Sequence, residues 1–155
     1  MNLVFISHNL KDPEAWRLAL GVNKLIHFNN PDKLKGFAEI SLALDELIYE
    51  KKYPIDWVLY CNNEKGIKWA EFIAIQSTVD LTEDTLFLTQ LKTSDVGKQM
   101  PDLSGNFYCR PHVFSLLGSL YKLQNKTIDT VDNSKKIESS IFFGLARTGY
   151  DIKVI

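Results

Sequence analysis

Five short apolar runs, separated by stretches of helical period, limit what this chain can fold into more than anything else in it. The runs are NLVFIS (2–7), KLIHF (24–28), IDWVLYC (55–61), TLFLT (85–89) and the weaker NFYC (106–109). Unbroken runs of aliphatic, β-branched and aromatic residues suit strands covered on both faces, as in a parallel sheet. Leu34 to Glu50 reads as a helix: Phe37, Ile40, Leu44 and Leu47 recur at three or four residues, with Glu39, Asp45 and Glu46 on the other side. Ile67 to Ile75 and Val113 to Leu123 carry the same period, and Pro13 opens PEAWRLAL at a position where its missing N–H is harmless. Strand and helix thus alternate, and right-handed crossovers predict an α/β fold, a parallel sheet with helices on both faces.

The 155 residues suit one domain, and a net charge of −1 gives no basic excess to gather nucleic acid or anionic lipid. The first apolar run is too short for a signal-peptide core or a membrane span, so a cytoplasmic protein with neither nucleic-acid nor membrane partners is expected. Cys61 and Cys109 have no C-x-x-C spacing and no His/Cys cluster around them, which argues against a metal site and a disulfide scaffold. G-x-G-x-x-G, G-x-x-x-x-G-K-[ST] and H-E-x-x-H are absent, as is the D-x-D of a metal-dependent glycosyltransferase, so no cofactor is expected. His27 lies in a strand and reads as a satisfied core residue; His112 opens a helix and reads as solvent-exposed.

Ligands in open α/β sheets sit at the carboxyl ends of the strands. That rule singles out Ser7 and His8, Asn29, Cys61 to Asn63, Thr89 and Gln90, and Cys109 to Pro111. Beyond Leu123 a polar stretch, QNKTIDTVDNSKK (124–136), precedes a tail in which Ile137, Ile141, Phe142 and Leu145 form a helical stripe. Gly149 is suited to a helix C-cap, and IKVI (152–155) to a sixth strand. The tail, 125–155, is expected to pack on the domain formed by 1–124.

In this order the elements resemble the receiver domains of bacterial two-component response regulators. PIDWVLYC looks like the receiver's third strand, with Cys61 in the place of the phosphate-accepting aspartate. Thr89 stands at the hydroxyl position ending the fourth strand, and Arg110-Pro111 at the Lys-Pro position after the fifth. Ser7 and His8 occupy the place of the acidic pair that holds Mg²⁺. The resemblance implies a flavodoxin-like (βα)5 sheet of CheY type, with the tail as an extra C-terminal helix and strand.

It also implies a lost chemistry. Phosphoryl transfer to a receiver needs a carboxylate nucleophile and a hard, oxygen-bound cation, and Ser, His and Cys replace all three acidic groups. The expectation is a pseudo-receiver without enzymatic activity, regulating a two-component-type pathway by protein contact. The face built in receivers from the fourth helix, fifth strand and fifth helix would meet a protein partner or a second copy. Thr93, Val96, Met100, Phe107, Val113 and Tyr121 are its counterparts here. Two other readings stand beside it. FISH (5–8) with Glu71 near Trp69 is similar to NAD-cleaving TIR domains, and Cys61 with His8 could form a thiol-imidazole enzyme site.

Overall fold

The computed structural model describes residues 1–8, 11–30, 36–78, 83–93, 95–103, 105–127, 141, 144–145 and 147–155. Strands β1 (Asn2–Ser7), β2 (Lys24–Asn29), β3 (Trp57–Cys61), β4 (Thr85–Leu88), β7 (Phe107–Cys109) and β8 (Asp151–Val154) form a six-stranded sheet in the order β2-β1-β3-β7-β4-β8. Helices α1 (Pro13–Leu20), α2 (Phe37–Asp45), α3 (Trp69–Gln76) and α4 (Pro111–Thr127) complete an α/β fold. No helix among the described residues is long and apolar enough to cross a membrane.

Helix α1 starts and stops where local chemistry directs it. Asp12 caps α1 by accepting from the Ala15 N–H, Pro13 takes the first turn, and Gly21 ends the helix at φ +66°, a left-handed conformation open to glycine. The helical period expected to run to Glu50 does so, but its last turn, Glu46–Glu50, widens to π geometry.

Alternate strand residues feed two cores. Val4, Ile6, Val58 and Tyr60 face α2 and α4, whereas Leu3, Phe5, Trp57, Leu59 and Cys61 pack with Phe72 of α3. Phe37 of α2 is the hub of the first core, edge-on to Tyr60 at 5.1 Å and to Phe114 at 5.5 Å. Such aromatic pairs add about 0.5–1.5 kcal/mol beyond the area they bury. Ile141 and Leu145 of the tail are buried in the same core, and β8 extends the sheet beside β4; Ile137 and Phe142 lie outside the described residues.

The sheet departs from the all-parallel expectation at β7, which runs antiparallel to both β3 and β4. A hairpin of β5 (Leu91–Thr93) and β6 (Gln99–Pro101) stands where the receiver resemblance places a fourth helix. Leu88 ends β4 in register with Phe107, which starts β7, so the chain leaves and re-enters the sheet at one edge without crossing it. Three buried residues carry no signal of strand direction, which is why the run Phe107–Cys109 could be recognised but not oriented.

Candidate functional site

At the carboxyl edge Ser7 and Cys61 are register partners on neighbouring strands. With His8, Asn62, Asn63, Glu64 and Lys65 they line a cleft of about 380 Å³. Beside the cleft, the loop that follows β3 meets Asn106, which immediately precedes β7.

Asn106 is buried, and its amide organises that loop. Its Oδ1 accepts from the N–H groups of Asn62 (2.7 Å) and Asn63 (2.8 Å), and its Nδ2 donates to the Asn63 carbonyl (2.6 Å). Asn62 reaches back, its Nδ2 donating to the carbonyls of Gly105 (2.7 Å) and Leu103 (3.4 Å). The Asn63 Oδ1 accepts from the Lys65 N–H (3.1 Å), as an asparagine does when it starts a short helical turn. Gly105 allows the close approach, since a Cβ there would lie 2.4 Å from the Gln90 side chain.

Cys61 is poorly suited to nucleophilic attack. Burial, reinforced by the charge of Glu64, pushes its thiol up to about 12, so the thiolate that attacks or ligates is negligible at neutral pH. Cys109 is fully buried and its thiol is likewise raised by desolvation. The Nε2 of His8 has no hydrogen-bond partner among the described residues, so that nitrogen makes no thiol-imidazole pair with Cys61. Ser7 Oγ instead pairs with Nε2 of His27 at 3.1 Å, which is how the strand histidine is satisfied; burial lowers the pKa of that imidazole.

The other expected site residues separate. Thr89 reaches the cleft's edge, donating through Oγ1 to the Asn106 carbonyl at 3.1 Å. Arg110 does not. Because β7 is antiparallel, its end lies beside the start of β3, where the Arg110 guanidinium sits 4.1 Å above the Trp57 ring and donates to the Asp56 carbonyl. Ser7, Cys61 and Thr89 therefore share one sheet edge, and Arg110 belongs to the opposite one. Glu71 is exposed on α3 and does not line the cleft, and Trp69 donates its indole N–H to the Leu20 carbonyl.

The expected interaction face also divides. Thr93 and Val96 are exposed, but Phe107, Val113 and Tyr121 are core residues, and a docking surface cannot include them without unfolding the sheet. Met100 lies in β6, away from the helix imagined for it. His112 is half-exposed and its Nε2 lies 2.9 Å from Asp84 Oδ1. Asn106 is the site residue that sequence reasoning passed over. The N-F-Y-C run hides Asn106 as a strand residue, and no spacing links it to Asn62 across 44 positions.

Among the described residues no group of three His, Cys, Asp or Glu side chains is placed to hold a metal ion. No family model and no curated protein matches the sequence. In structure the chain is similar to a glycosyltransferase involved in the glycosylation of the major capsid of PBCV-1, with a TM-score of 0.57. The match covers all of this chain and 82% of that one at 12% identity, a likeness of fold.

Proposed function

We propose that this chain handles an activated sugar, binding a nucleoside-diphosphate sugar in the cleft at the carboxyl edge of β1 and β3 as a glycosyltransferase-type protein. The observation that carries this reading is the likeness in fold, over the whole length of this chain, to a glycosyltransferase. The cleft suits it in kind. Hydroxyl, imidazole and amide groups line the carboxyl edge of the sheet, where α/β proteins bind their ligands, and its volume lies in the range of small-molecule sites.

Titration of ¹⁵N-labelled protein with UDP-, GDP- and ADP-linked sugars, with and without Mg²⁺, tests the reading. At least one donor is expected to shift the backbone signals of Ser7, His8 and Cys61 to Lys65 in a saturable way. A panel in which every donor leaves those signals unmoved overturns it.

A second reading, the phosphorylation-independent pseudo-receiver acting by protein contact, is supported by the neutral Cys61 and by the shared edge of Ser7, Cys61 and Thr89. It predicts no donor binding and no response of Thr89 or Cys61 to acetyl phosphate with Mg²⁺. A saturable donor shift therefore decides against it.

A further inference from the structure

Ser7 stands where β1 comes to the surface. The residues before it, Val4, Phe5 and Ile6, are sealed at 0% exposure, whereas Ser7 keeps 6% and lines the cleft. Its main chain is flanked on both sides, in register with Asn29 of β2 and Cys61 of β3, and its carbonyl accepts from the Asn30 N–H. What is left to face the cleft is the hydroxymethyl group. Alternation puts that group on the face of Leu3 and Phe5, and His27, the register partner of Phe5, lies on the same face of the neighbouring strand. This diagonal brings Nε2 of His27 to 3.1 Å from the Ser7 Oγ.

A cleft hydroxyl hydrogen-bonded to an imidazole supplies the two parts that nucleophilic catalysis requires, an attacking oxygen and a base within reach of its proton. The imidazole has to be neutral to act, and burial holds the His27 pKa below its ordinary value. In its Nδ1–H tautomer Nε2 accepts from the serine hydroxyl. The neighbouring thiol does not compete, because Cys61 is pushed up to about 12. Glu64 and Lys65 balance each other's formal charge in the lining, which suits an uncharged substrate, and the Lys65 ammonium is the cation of that lining to meet an oxyanion. A cleft of about 380 Å³ sets the substrate small.

We propose that Ser7 and His27 form a nucleophile–base pair that takes the acyl group of a small, uncharged ester. Ser7 Oγ bonds to the carbonyl carbon and gives its proton to His27 Nε2. The bond from that carbon to the leaving alcohol breaks with its electron pair on oxygen, and this oxygen takes the proton from Nε2. Water then gives a proton to Nε2 and its oxygen to the acyl carbon, and Ser7 Oγ departs with the electron pair and recovers the proton. The sum is ester and water to acid and alcohol. This activity lies beyond the reading of the cleft as a sugar-nucleotide site and does not depend on it.

The probes are phenylmethanesulfonyl fluoride, which exchanges its fluoride for a serine oxygen, and p-nitrophenyl acetate. The unaltered protein is expected to carry the sulfonyl group on Ser7, located by peptide mass spectrometry, and to release p-nitrophenol from the ester until it is labelled. The labelling rate should rise with pH through the lowered His27 value and level off by neutral pH, as the imidazole loses its proton. His27→Gln keeps a hydrogen-bonding group beside Ser7 but no base, and is expected to slow labelling about 100-fold. His112→Gln removes a histidine from the start of α4 and should leave the rate unchanged. Urea unfolding checks that both variants are folded; if His27→Gln is not, the pH profile of the unaltered protein decides. Absence of label on Ser7, ester release that continues after full labelling, a folded His27→Gln labelled as fast as the parent, or a half-rise above the ordinary histidine value of about 6.5 overturns the proposal. Nucleotide-sugar binding is read separately, so the sugar-handling reading stands or falls by its own titration.

Discussion

Replacing Asn106 by alanine removes the amide that holds the cleft loop to the start of β7. Two backbone N–H groups, of Asn62 and Asn63, and the Asn63 carbonyl lose their partner at once. Asn106 is 1% exposed, so water does not take the amide's place without opening the edge. With each orphaned group costing about 1–3 kcal/mol and partial relaxation of the loop, the loss of stability should come to about 3–5 kcal/mol. For a chain of this size that corresponds to a fall in Tm of roughly 10 °C or more. Urea unfolding followed by tryptophan fluorescence measures it, and Thr89→Val is the internal control. That variant loses one hydroxyl bond to the Asn106 carbonyl, which still accepts from the Thr89 N–H, and should cost about 1 kcal/mol. An Asn106→Ala variant within about 1 kcal/mol of the parent, or no worse than Thr89→Val, would refute the view that this amide organises the cleft.

Three further outcomes are expected. At Gly118 of α4 a Cβ would stand 2.5 Å from the Ser41 side chain and 3.0 Å from the Phe37 carbonyl, so Gly118→Val should push α2 from α4 and cost about 1–3 kcal/mol in thermal unfolding. Alkylation of Cys61 by iodoacetamide at pH 7 should be far slower than that of a free thiol of pKa about 8.5, because the folded thiol is pushed up to about 12; rapid modification without unfolding would contradict this. His27, whose folded pKa is lowered by burial, favours the neutral form, so its contribution to stability is fully present above the unfolded value of about 6.5 and is lost as pH falls through the lowered folded value. His27→Gln should flatten that part of the stability–pH curve measured by urea unfolding.

Much of the fold is legible in the chain. β1 occupies residues 2–7 as its apolar run does, Pro13 opens α1, and the period of Phe37, Ile40 and Leu44 marks the buried face of α2. These are local signals, in which the residues that form the element also carry its pattern. The site is legible by half: the strand-end rule points at Ser7, His8 and Cys61 to Asn63, which line the cleft, while Asn106 immediately precedes a strand whose direction no local pattern records.

The sequence by itself determined the α/β class, the places of the sheet strands and helices, and the absence of acidic side chains from the ends of β1 and β3. Only the tertiary structure decided that β7 runs antiparallel, and with it that Arg110 goes to the far edge over Trp57 while Asn106 stays to tie down Asn62 and Asn63. The reason is one of range. Burial and period act on a residue and its near neighbours, whereas strand direction and the pairing of amides 44 residues apart are set by which arrangement of the whole sheet satisfies the most buried groups.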